Sequence, residues 1–235
     1  MNQVLKSWFL NLVIGFPVRL CDVRPSLDGK HGSLNVRSLR GFTLDEAITW
    51  LEALGQEGLI AFTHQVAAND SRNIDPSGVR HLMDRPLIER ELSFQLTSAG
   101  GSAWESMAVP RWDEMDDGEA IPCDENGKIV GWDWTFFSQS RERLMAVLGW
   151  FPQIQNGEQI DLDTVTWRFA ADYQVKYWKR LPNVHVVRFR TTLTDPRQTN
   201  WNFGVDPEWF RTWDDARSNW YRHPWEMEGW PPEPR

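Results

Sequence analysis

Val165, Trp167, Phe169, Ala171, Tyr173, Val175 and Tyr177 put an apolar residue at every second position, with Arg168, Asp172, Gln174 and Lys176 between them. Thirteen residues of period two describe a strand buried on one face, because successive side chains of extended backbone point to opposite sides. A helix ending at Leu181-Pro182 is the alternative for the second part of this stretch. With Leu181-Pro182-Asn183 as a turn, Val184 to Leu193 is the candidate returning strand. Asn126-Gly127 marks a second hairpin, since both central residues of a type I′ turn need positive φ. Ile129 to Phe137 alternates after it, and Ser138 is placed to cap a helix from Arg141 to Leu148, ended by Gly149. Residues 129–205 therefore read as a small α+β module with antiparallel strands and one covered sheet face.

The first 109 residues carry a different pattern. Residues 3–15 read as a helix stopped by Gly15-Phe16-Pro17. Lys6 followed by Trp8 to Ile14 faintly resembles a leader peptide, but Asn11 interrupts the apolar run and no small-x-small site follows, so a buried first helix is expected. No apolar run reaches the ~18 residues of a membrane span. Thr43 and Glu46 form a capping box, opening a helix with Leu44, Ala47, Ile48, Leu51 and Leu54 on one stripe. Gly55 weakens its last turn, Gly58 stops it, and Leu59 to Phe62 is a short apolar strand. Asn69 to Gly78 is a polar stretch. Glu91 to Leu96 alternates as a strand, and Thr97 caps a helix through Trp104.

Trp50-Leu51-Glu52-Ala53-Leu54 running into Glu57-Gly58-Leu59-Ile60 is similar to a recognition helix entering a wing hairpin. Phe94-Gln95-Leu96-Thr97-Ser98-Ala99-Gly100 resembles the Y-x-L-T-x-x-G that closes the wing in MarR- and PadR-like winged-helix proteins. The resemblance implies a winged-helix module over residues 1–109 and, by analogy, a DNA-binding regulator. The chain departs from that family where bases would read DNA. Residues 44–59 carry Asp45, Glu46, Glu52 and Glu57 with no Lys or Arg, and acids there repel phosphate. Arg37 and Arg40 precede the helix and are placed only to position a backbone.

Charge sharpens the functional expectation. The net charge of −8 speaks against a sequence-independent grip on nucleic acid or an anionic membrane. Asp113, Glu114, Asp116, Asp117, Glu119, Asp124 and Glu125 lie in a run without a base, read as an acidic linker or loop over 110–128 and as an acidic surface. Its spacing does not follow a calcium loop. Residues 206–235 form a Trp/Pro-rich segment, with a helix expected from Asp206 to Trp220. Trp209, Trp213, Trp220, Trp225 and Trp230, with Arg211 and Arg217, have the composition of a protein-binding surface. The bland alternative is that these rings fold back onto the body.

Catalytic signatures are missing: no nucleophile elbow, phosphate loop, dinucleotide fingerprint or HExxH occurs. The five histidines are scattered, and Cys21 and Cys123 share no metal or redox spacing. Neither a metal nor a cofactor is expected. The sequence thus predicts a non-enzymatic, cytoplasmic α+β protein that binds a basic protein partner, as an inhibitor or immunity-type protein does. The alternative is a winged-helix transcriptional regulator.

Overall fold

The computed structural model of the chain describes residues 3–19, 44–67, 70–80, 92–154, 158–193 and 220–221. These residues form mixed helix and sheet, with two antiparallel four-stranded sheets. The chain divides into two compact units: residues 1–109 with 176–179 and 222–235, and residues 110–175 with 180–221.

In the first unit, helix α1 (Gln3–Leu12) buries Leu5, Trp8, Phe9 and Leu10, with Val13 just beyond it. A fully buried Leu or Phe side chain contributes about 1.5–3 kcal/mol, so this helix is held by its apolar face and not by propensity. Helix α2 (Leu44–Gln56) buries Ala47, Ile48, Leu51 and Leu54 at the expected spacing. Gly58, at φ +72°, ends it as a Schellman turn: its amide bonds Gly55 O and the Leu59 amide bonds Leu54 O, both at 2.9 Å. Gly55 is a close approach, since a Cβ there would stand 2.8 Å from Phe62 and Pro76.

Strands β1 (Val18–Arg19), β2 (Ile60–Ala67), β3 (Asp70–Ile74) and β4 (Leu92–Leu96) make a sheet of order β1-β4-β2-β3. Strand β3 corrects the reading of residues 69–78 as a polar stretch alone. Thr97 caps helix α3 (Ser98–Ala108) through Oγ1, which accepts the Gly100 amide at 3.0 Å and donates to Gly58 O at 2.6 Å. The helix runs beyond Trp104 to Ala108. Gly100 lies in its first turn, where a Cβ would come 1.9 Å from Leu59 O.

Residues 176–179, counted with this unit, are stapled into it. Tyr177 Oη donates to Val13 O and accepts the Leu96 amide, each at 2.6 Å, while Trp178 Nε1 donates to Ile14 O at 3.0 Å. The Trp178 ring lies over Gly101 and edge-on to Trp104.

The second unit is built from β5 (Asp116–Glu125), β6 (Lys128–Ser138), helix α4 (Arg141–Ile154), β7 (Glu158–Lys176) and β8 (Lys179–Leu193), with sheet order β5-β6-β8-β7. Asn126 and Gly127, at φ 56° and 76°, make the β5–β6 turn as their sequence demands. Phe136, Val187 and Phe189 on one sheet face pack against Leu144, Val147 and Phe151 of α4. Phe136 and Phe189 stack at 5.9 Å, and Phe151 meets Phe189 edge-on at 5.0 Å.

Four expectations are corrected here. The supposed acidic linker contains strand β5, paired to β6 from Asp116↔Ser138 to Glu125↔Lys128. Helix α4 is capped by Ser140, whose Oγ accepts the Arg143 amide, while Ser138 Oγ holds the Ser140 amide; the helix passes Gly149 and ends at Ile154. The β7–β8 turn falls at Tyr177-Trp178, four residues before Pro182. The pairing of β8 with β6 ends at His185, three residues after Pro182, so the missing amide costs no bond to β6. The alternation of β7 also does not keep one face throughout. Val165 and Trp167 pack with the cluster around Phe136, whereas Tyr173 meets Phe137, whose side chain points to the opposite face.

Candidate functional site: an open sheet face

Helix α4 covers one face of the second sheet; part of the other is open. The register lays its residues out in rows across β5, β6 and β8. One row is Glu119, Thr135, Arg188; the next is Ile121, Asp133, Arg190; the third is Cys123, Gly131, Thr192. Alternation along each strand puts all nine on the same face. The first two rows, with Thr164, line a depression of about 490 Å³.

Its charges fall into two kinds. Arg190 and Asp133 form a two-pronged ion pair, Nε to Oδ1 at 2.9 Å and Nη2 to Oδ2 at 3.2 Å. Hydrogen bonding to Arg190 holds the Asp133 carboxyl below its ordinary range, and the Arg190 guanidinium is raised in return. Arg188 and Glu119 instead have no ion-pair partner among the described residues. Thr164 is occupied, accepting the Arg190 amide at 2.8 Å and donating to Asp161 O at 2.6 Å.

Cys123 is the nearest nucleophile, and its environment is wrong for the task. Burial first, then the neighbouring Asp133 charge, pushes the thiol up, so the thiolate a nucleophile needs is disfavoured. Beneath the other face, Glu158 is buried, accepting Thr191 Oγ1 at 2.6 Å and Trp134 Nε1 at 3.4 Å; burial pushes its carboxyl up. It lies among aromatic rings and lines no depression described here. Among the described residues no group of three or more His, Cys, Asp or Glu is placed to hold a metal, and no helix is long and apolar enough to cross a membrane.

The acidic residues singled out from sequence are dispersed by the fold. Asp113 is exposed, and Glu114 pairs with Arg111 at 2.8 Å. Asp116 is buried and corrected from surface to interior: Arg143 donates to its Oδ2 from Nε at 3.1 Å and Nη2 at 2.8 Å. Asp117 Oδ1 accepts the Gly118 amide, and Glu119 alone of the five lines the depression. Of the tryptophans, Trp220 is 9% exposed, its ring tilted against Trp112 at 4.9 Å and its carbonyl accepting the Arg111 amide at 2.6 Å. A displayed Trp220 is therefore corrected to a docked one. Trp209, Trp213, Trp225, Trp230, Arg211 and Arg217, with the helix expected over 206–220, lie outside the described residues.

Asp133, Thr135, Arg188 and Arg190 were not singled out from sequence. The signal was present in Arg188 and Arg190 alternating with Val187 and Phe189, which assigns two guanidinium groups to one strand face. Comparison with protein-family models, with curated proteins and with solved structures finds no match.

Proposed function

We propose that the chain is a non-catalytic binding protein whose partner is a basic protein, as in an inhibitor or immunity-type pair, docked on the outer strand β5. The observation that carries the reading is Ile121, 64% exposed on an edge strand that also exposes Glu119, Asp124 and Glu125. An apolar anchor rimmed by acids suits a basic surface: the acids steer encounter and select the partner's sign, and burial of the anchor adds affinity. The net charge of −8 works in the same direction.

The test is affinity capture on the full chain, beside a variant with Ile121→Lys, Asp124→Lys and Glu125→Lys. A discrete basic protein retained by the first, released by salt and lost on the second supports the reading. Retention that ignores the substitutions, or no retained protein at low salt, overturns it.

A winged-helix DNA-binding regulator is the second reading. It is favoured by α2 feeding β2, by the return strand β4 lying between β1 and β2, and by Thr97 opening α3 directly after β4. Against DNA reading stands the surface of α2. Arg80 pairs with Asp45, reaches Glu52 at 3.5 Å and bonds Thr49 at 2.7 Å, so a basic residue is spent on the helix's own acids. A mobility shift with duplex DNA that weakens with salt would favour this second reading over the first.

A further inference from the structure

Strand β5 lies at the edge of its sheet, and an edge ordinarily offers its outward N–H and C=O groups to any extended segment that meets it. Pro122, opposite Trp132, has no amide to offer. The β5–β6 ladder loses no bond to it when residues 118, 120 and 122 turn their backbone groups away from β6, as alternate residues of an antiparallel edge strand do. Gly118 agrees with that arrangement, since its amide donates to Asp117 Oδ1 at 2.8 Å. Of these three consecutive outward positions, one donor is taken and one is missing, with Ala120 between them. Past Pro122 the register shifts between Cys123 and Asp124, which increases the local twist, and Asp124 and Glu125 are exposed acids. An added strand needs a donor at every second residue of its neighbour, and β5 does not supply that row. Its side chains are differently placed. Glu119 and Ile121 stand exposed on the open face, where no backbone bond is needed to reach them.

We propose that the basic partner meets β5 as a folded surface, through side chains laid over Glu119 and Ile121, and that the strand edge refuses an extended basic segment. Lys and Arg held on a fixed surface beside an apolar contact satisfy this face. A flexible basic tail that gains its affinity by adding a strand does not, because main-chain hydrogen bonds supply the affinity in that mode of recognition.

This docking mode rests on the binding reading above for the partner's charge. The closed edge itself is measured without any partner, so its failure and the failure of that reading, seen in the affinity capture, are separate results.

The experiment is titration of the full-length, isotope-labelled chain with an acetylated, amidated heptapeptide alternating lysine with valine, read by amide exchange along β5. The peptide carries the partner's charge on a strand-forming pattern. In the parent, the Gly118 and Ala120 amides are expected to exchange as they do in the peptide-free chain. Asp117→Ala with Pro122→Val frees one donor and creates the other. That double variant is expected to bind the peptide at least about tenfold tighter, with exchange at residues 118, 120 and 122 slowed together. Because it removes an acid, charge alone would weaken its hold on the lysines, so a gain reports the restored backbone. Asp117→Ala alone, which keeps Pro122, is expected to slow Gly118 and to bind less tightly than the double variant. Pro122 is exposed, and unchanged amide shifts across β8 check that the variants fold. Slowed exchange at Ala120 in the parent, or a double variant that binds no tighter than the parent, overturns the proposal.

Discussion

Gly131→Ala is expected to destabilise the second unit, although glycine to alanine in extended backbone ordinarily stabilises by about 0.4–1 kcal/mol through the unfolded chain. A Cβ at residue 131 would stand 1.8 Å from Thr191 O and 2.8 Å from its carbonyl carbon, where ordinary contact begins at 3.4 Å. The obstacle is backbone, so β6 and β8 must part by roughly 1.6 Å locally. A hydrogen bond of ordinary length stretched that far is lost. Two ladder bonds near Gly131↔Thr192 and Trp132↔Thr191, with the Thr191 hydroxyl bond to Glu158 at 2.6 Å, are exposed to the shift. At about 1 kcal/mol for each bond, less the entropic gain, the net cost is about 2–3 kcal/mol. Gly149→Ala in the same unit is the control. That residue is exposed in α4 with nothing within 4 Å of a built Cβ, so helix propensity alone acts and stability rises by about 0.5–1 kcal/mol. Native-state amide exchange of β6 and β8 in the full chain measures both effects in one unit. Protection in Gly131→Ala equal to the parent's, or a loss in Gly149→Ala as large as in Gly131→Ala, refutes the reasoning.

Glu158→Gln keeps an oxygen for Thr191 and Trp134 but removes the buried charge. Because the folded carboxyl is raised, its contribution to stability is full below the unfolded value of 4.5 and is lost as pH rises through the folded value. The variant is therefore expected to be more stable than the parent at pH 7 and to lose that advantage as pH falls below 4.5, seen as converging urea midpoints. Asp116→Asn leaves the Arg143 guanidinium facing a neutral amide. The carboxylate is 3% exposed and the guanidinium 26%, so the cost is set at about 2–3 kcal/mol, below that of a fully buried pair, and is read as a fall in the urea midpoint. Tyr177→Phe removes the donor to Val13 O and the acceptor of the Leu96 amide, costing the first unit about 1–3 kcal/mol in amide-exchange protection. Burial pushes the Tyr177 phenol up to about 12 from 10.0, so its contribution is full below pH 10 and lost as pH rises through 12; the Phe variant lacks that alkaline loss.

Where local chemistry decides the backbone, the sequence can be read directly. Asn126-Gly127 makes its turn whatever surrounds it, and Thr97 caps α3 because the amide that donates to its hydroxyl lies three residues away. Where a partner distant in the chain decides, the signal inverts. Strand β5 reads as linker because its acids suggest solvent, yet Asp116 is accommodated inside by Arg143, 27 residues later. Strand β3, polar but for Ile74 at its end, is an edge strand without an apolar alternation to betray it. The turn at Tyr177-Trp178 carries none of the usual turn residues; what fixes it is the pair of carbonyls at Val13 and Ile14, each 164 residues away from its donor. Pro182 then draws the eye to the wrong place, although it stands beyond the β6–β8 ladder and removes no bond from it.

The open face combines both situations. Each strand's alternation assigns Glu119, Asp133, Arg188 and Arg190 to a side, but only the register sets which charges meet. Asp133 is opposite Arg190 and is neutralised there, while the next row brings Thr135 between Arg188 and Glu119 and leaves those two apart. A slip of two residues between β6 and β8 would preserve every inward-facing aromatic position by type of face and yet pair Arg188 with Asp133. The charge pattern of this face therefore follows from pairing register more than from composition.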